Sequence, residues 1–91
     1  MTERINTTAA MGQSETWALT SGTVIQVAGS EGSTATVELW ARVDAAAPFS
    51  YIASARVASE AFIAAEANFY EGQLVWHSNR EGDNLMAWSM A

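Results

Sequence analysis

The chain has 91 residues, 49% of them hydrophobic, and sets four Arg and no Lys against ten acidic side chains for a formal net charge of -6. So few, scattered cations argue against nucleic-acid binding by phosphate neutralisation and against docking on an anionic membrane surface. With no Cys and one His, neither a disulfide framework nor a metal site is expected, and no cofactor motif occurs.

Residues 1–15 (MTERINTTAAMGQSE) have weak periodicity and many small polar residues. They read as a flexible N-terminal arm outside a single β-domain spanning 16–91, with Ile5 and Met11 spaced to anchor on a neighbouring molecule. No continuous apolar run follows Arg4, so no signal peptide is expected. Asn6-Thr7-Thr8 fits the glycosylation triplet, a pattern common by chance. No apolar stretch nears the ~20 residues that cross a bilayer, so membrane insertion is not expected.

Trp17 to Thr20 reads as a short strand ended by Ser21-Gly22, and Thr23 to Ala28 as a second. Gly29-Ser30-Glu31-Gly32 then carries a hairpin signal. Ser33 to Val43 alternates without a break: Ala35, Val37, Leu39, Ala41 and Val43 share one face, and Thr34, Thr36, Glu38, Trp40 and Arg42 the other. A two-residue period seals one face of a sheet on a core. Trp40 is a bulky aromatic on the otherwise polar face, so a second protein layer or a partner should cover it.

Asp44 to Pro48 ends that strand, and Phe49 to Val57 alternates again, with Phe49, Tyr51, Ala53, Ala55 and Val57 on one side. Ser59 to Glu71 carries five alanines that favour a helix, capped by Ser59. A helix would set Glu66 inside the stripe of Phe62, Ile63, Phe69 and Tyr70, whereas a strand leaves it at the surface. An unpaired buried carboxylate costs several kcal/mol, so the strand is preferred. Glu71-Gly72 should turn the chain into a strand over Gln73 to Ser78, Asn79 to Asn84 reads as a polar loop, and Leu85 to Ala91 sets Met86, Trp88 and Met90 on one face. Six or seven strands with short links predict an all-β fold, a small antiparallel sandwich or barrel. Small alanines (Ala53, Ala55, Ala61, Ala65, Ala67) should pack against Trp17, Phe49, Phe69 and Trp76.

Catalytic residue types cluster only at Trp76 to Asp83. A Ser/His mechanism needs His77 within about 3 Å of the Ser78 hydroxyl, and neighbours on a strand point to opposite faces, so the two should not meet. A metal site from His77, Glu81 and Asp83 has a single imidazole and is not expected. Glu38 and Glu66, on outer faces, could approach across strands the separation of a glycosidase carboxylate pair, but a sandwich of this size rarely holds the deep cleft that such a pair must flank. The four Trp (Trp17, Trp40, Trp76, Trp88) are the better lead, because such side chains concentrate at interfaces and sugar platforms. Trp76 and Trp88 would lie near each other if their strands form a hairpin.

Low charge, absence of Lys, a free arm and apolar residues on both faces of several strands together predict a non-enzymatic structural subunit. It would form a homo-oligomer or join a larger assembly; a phage or virion decoration, head or tail component, assembled in the host cytoplasm, fits this description. The expected interface residues are Ile5, Met11, Glu38, Trp40 and Arg42. The alternative is a carbohydrate- or peptide-binding β-module that uses Trp40 with Glu38 and Arg42.

Overall fold

A computed structural model describes residues 1–90. It holds nine strands: β1 (Thr2–Thr7), β2 (Gly12–Gln13), β3 (Trp17–Leu19), β4 (Val24–Gly29), β5 (Thr36–Arg42), β6 (Ser50–Arg56), β7 (Phe62–Ala64), β8 (Phe69–His77) and β9 (Leu85–Met90). The first sheet runs β1-β9-β4-β7; the second runs β2-β8-β5-β6, with β3 also on β8. Every pairing is antiparallel. The fold is an all-β structure of two antiparallel sheets, a small β-sandwich.

The inward faces follow the two-residue period. Val37, Leu39 and Ala41 of β5 face Ile25 and Val27 of β4 and Leu85 and Ala87 of β9 across the interior, and Leu74 and Trp76 of β8 and Ile63 of β7 complete the core. Five of its fifteen buried hydrophobic residues are alanines: Ala35, Ala41, Ala55, Ala65 and Ala87. They give Trp76, Leu19 and the other large side chains room to interdigitate at ordinary packing density. Of the small residues expected in this role, Ala61 and Ala67 are instead exposed, while Ala53 packs at the core margin.

Residues 1–15 belong to the domain, which corrects the expectation of an arm. β1 pairs with β9 along Thr2 to Thr7, and Ile5 is a core residue, 3% exposed. The chain then crosses to the second sheet. The Ala9 carbonyl accepts from Trp76 Nε1 at 3.2 Å and from Asn79 Nδ2 at 3.1 Å, and the Ala10 carbonyl accepts from the Asn79 backbone N–H. β2 pairs with β8, and Ser14 exchanges hydrogen bonds with Leu74. Gly12 lies flat on the Trp76 ring, where a Cβ would come within 2.5 Å of Cζ2. The segment therefore laces the two sheets together, mostly through its backbone, with the buried Ser14 hydroxyl adding an acceptor for the Leu74 N–H.

Ser59 to Glu71 contains no helix. β7 and the start of β8 are extended, joined by 65–68, and Glu66 is exposed as the strand reading required. Gly72 is a buried residue inside β8, against Leu19, rather than a turn. Two expected hairpins are links between sheets: Gly29 to Gly32 joins β4 to β5, and Asn79 to Asn84 joins β8 to β9. Trp76 and Trp88 accordingly lie on different sheets, the first facing in and the second out.

Candidate functional site

The outer faces of the two sheets differ in chemistry. On the second sheet the register places Thr36 between Arg56 and His77, Glu38 between Ser54 and Val75, Trp40 between Tyr51 and Gln73, and Arg42 beside Glu71. Arg42 Nε donates to Glu71 Oε1 at 3.0 Å, and the guanidinium lies over the Phe49 ring at 4.7 Å. Hydrogen bonds from Arg42 and then from the Thr16 hydroxyl hold the Glu71 carboxyl below the usual carboxylate range. Trp40 Nε1 donates to Glu38 Oε1 at 3.1 Å, and Trp40 meets Tyr51 edge to face with centroids 5.9 Å apart. This face joins the polar side chains of Thr36, Glu38, Arg42 and Glu71 to the rings of Trp40 and Tyr51, and at its Arg42 end to those of Phe49 and Tyr70.

Tyr51 reaches it through a β-bulge. The β5·β6 register shifts between Leu39 and Trp40, leaving Ile52 as the extra residue. Ala53 and Ala55 therefore keep the inward orientation expected of them, while Tyr51 turns outward and is 52% exposed.

The outer face of the first sheet is apolar. Its middle row runs Glu3, Trp88, Gln26, Phe62, and the rows beside it bring Met90, Val24 and Ala64 together on one side and Asn6, Met86 and Ala28 on the other. Phe62 is 60% and Met90 57% exposed. Val24, Gln26, Phe62, Trp88 and Met90, with Met1 and Ser89, line a shallow hollow of about 70 Å³. Within the strands this face carries one charge, Glu3, at its β1 end. On β9 the large residues face solvent and the small ones, Ala87 and Ser89, face inward with Leu85.

Of the expected interface residues, Glu38, Trp40 and Arg42 share the polar face of the second sheet and are half-buried by their own contacts. Ile5 lies in the core and has no surface to offer a neighbour. Met11 is exposed just before β2, whose Gly12 pairs with Trp76 of β8, at the β2 edge of the same sheet. The alternation of Met86, Trp88 and Met90 was the available signal for the apolar face, but alternation alone does not say which side is solvent.

His77 and Ser78 do meet, contrary to the expectation from strand geometry. Ser78 leaves β8 in the left-handed region with φ 62°, and this swings its Oγ to 2.8 Å from His77 Nδ1. His77 Nε2 lies 3.5 Å from Glu38 Oε2. The order Ser78, His77, Glu38 matches a proton-relay sequence, but its surroundings are those of a turn. The Thr34 hydroxyl donates to the Ser78 carbonyl at 2.6 Å, and the next N–H along, that of Asn79, is already given to Ala10. Among the described residues no group of three or more His, Cys, Asp or Glu is arranged to hold a metal ion. Comparison with known protein families, with curated proteins and with solved structures finds no match to this chain.

Proposed function

We propose that this chain is a non-enzymatic assembly domain that docks on protein through the apolar outer face of its first sheet. One observation carries the reading: Phe62, Trp88, Met90 and Val24 stand together outside the fold with no charge among them, on a chain whose other sheet presents a polar face. Isolated exposed apolar side chains are ordinary on a soluble protein, whereas a contiguous patch of this kind marks an interaction surface. The reading covers a subunit of a self-assembled particle, a virion component included. Light scattering over a hundredfold range of concentration tests it. A mass rising above that of the 9.7 kDa chain is expected, and a mass that never rises would count against self-assembly.

A second reading is favoured by Trp40 and Tyr51, whose edge-to-face pair sits beside a Glu38 carboxylate already oriented by the indole N–H. A ring pair next to a fixed acceptor suits a sugar ring or a peptide side chain. Titration of tryptophan fluorescence with polysaccharides of differing composition tests this; a saturable change abolished by Trp40→Ala is the expected sign of binding, and no change with any of them would dismiss it.

A further inference from the structure

Apart from the docking face, we propose that Arg4 anchors a carboxylate-binding site at the open edge of the sandwich, between β1 and β3. Arg4 is the extra residue of a β-bulge: Glu3 pairs with Trp88 and Ile5 with Ala87, leaving Arg4 opposite no residue of β9. A bulge re-aims a side chain, and this one carries the guanidinium from the first sheet onto the Trp17 ring of the second, 4.2 Å from its centroid. Nε donates to Ser89 Oγ at 2.8 Å. Among the described residues Nη1 and Nη2 have no acceptor, and no carboxylate pairs with the guanidinium. Arg42, the other half-buried arginine, has Glu71. Burial lowers the Arg4 pKa from its ordinary value, and the charge of Glu15 acts in the opposite sense. The cation is thus partly stripped of water with no counter-charge in contact.

The surroundings supply donors and no acid. Arg4, Thr20, Thr23 and Ser89 line one hollow of about 320 Å³, and no Asp or Glu lines it. Thr23 and Ser89 are buried. The Thr20 and Thr23 hydroxyls lie 3.1 Å apart and share one hydrogen bond, so the second O–H of the pair has no acceptor among the described residues. The Ser89 oxygen accepts from Arg4, and its own O–H is likewise unclaimed. Two buried hydroxyls and a half-buried guanidinium therefore all lack the same thing, a negative acceptor. The flat Nη1–Nη2 edge matches the two oxygens of a carboxylate, and bonds of this charged kind are the strong ones. A single positive charge with Glu15 nearby favours a monoanion over a dianion such as sulfate. The hollow admits a small organic acid or the C-terminal end of a peptide, which present the same group.

Titration of ¹⁵N-labelled protein with sodium acetate at pH 6.5, against sodium chloride at equal ionic strength, tests the proposal. The Arg4 Nε–H signal and the Ser89 and Thr23 amides should move together and saturate in the millimolar range with acetate. No saturable shift, or the same shift with chloride, would overturn the site, and tighter binding of sulfate than of acetate would overturn the carboxylate assignment. Arg4→Lys keeps the charge and loses the fork, so it should bind acetate severalfold more weakly with an unchanged circular dichroism spectrum; wild-type affinity in that variant would overturn the role of the guanidinium. Arg56→Gln, at an exposed arginine of the second sheet, and Phe62→Ser, on the docking face, should both bind acetate as wild type does, which separates this site from the docking reading; loss of binding in either would move the anion elsewhere and overturn the proposal. A short peptide that binds more tightly than acetate, with the advantage lost on amidating its C-terminus, would assign the site to chain ends, and equal affinity would assign it to small acids.

Discussion

Gly12→Ala is a one-methyl probe of how the first fifteen residues are held. The new Cβ would lie 2.5 Å from Cζ2, 2.8 Å from Cη2 and 3.2 Å from Cε2 of Trp76, a ring that is rigid and 8% exposed. Overpacking a site of this kind costs about 1–3 kcal/mol. If the backbone lifts to relieve the clash, it stretches the bonds that Ala9 and Ala10 accept from Trp76 and Asn79, at about 1 kcal/mol for each one lost. A total near 2–4 kcal/mol is a large share of the ~5–15 kcal/mol that stabilises a domain. With a urea slope of about 1 kcal/mol/M for a chain of this size, the unfolding midpoint should fall by roughly 2–4 M. The double variant Gly12→Ala, Trp76→Phe isolates the cause, because Phe lacks the six-membered indole ring that carries Cζ2 and Cη2. In that background the added methyl should cost less than about 1 kcal/mol, a clear departure from additivity. A Gly12→Ala midpoint unchanged from wild type, or costs that simply add, would refute the claim that this segment is clamped on Trp76.

Deleting residues 2–12 removes β1, buried Ile5 and the crossing to the second sheet, so the remainder should lose its cooperative unfolding transition in calorimetry. Leu74→Ala opens a cavity at a fully buried position and should cost about 2–5 kcal/mol by urea unfolding. Trp40→Ala should leave self-association unchanged in sedimentation while loosening Tyr51 and Glu38, whereas Phe62→Ser should weaken association and leave those two in place. The Glu71 carboxyl titrates below its unfolded value, so its contribution to stability is complete above the unfolded pKa and lost as pH falls through the lowered folded one. Glu71→Gln should therefore flatten the acid limb of a stability–pH curve compared with wild type, and two superimposable curves would contradict the Arg42 pairing.

Legibility in the sequence followed the strength of the alternation. β5 was plain because Val37, Leu39 and Ala41 are apolar and Thr36, Glu38 and Arg42 polar, and its faces are those the pattern predicts, except that Val43, expected inward with them, lies beyond the strand end and is 73% exposed. The exposed position of Glu66 followed from desolvation cost alone. What stayed hidden is what no local period encodes. The bulge at Ile52 reverses Tyr51 without changing the spelling of the strand. β1 has few apolar residues because an edge strand needs only Ile5 to point inward and draws its pairing from backbone groups. Gly29 to Gly32 has the composition of a hairpin, yet joins strands of different sheets, since loop residues fix a turn and not the partner of the strand that follows. β9 inverts the usual order, burying Ala87 and Ser89 and turning half-buried Met86 and Trp88 and exposed Met90 outward. In a chain with so many apolar residues, hydrophobicity alone could not identify the outer face.

The central claim is that association runs through the first sheet and not through Trp40. Dilution of ¹⁵N-labelled protein from millimolar to micromolar concentration, followed by two-dimensional NMR, tests it residue by residue. The account predicts that amide shifts of Val24, Gln26, Phe62, Trp88 and Met90 move together along one dissociation isotherm, while those of Glu38, Trp40 and Gln73 stay fixed. Shifts that move on the Trp40 face and remain still around Gln26 would contradict it.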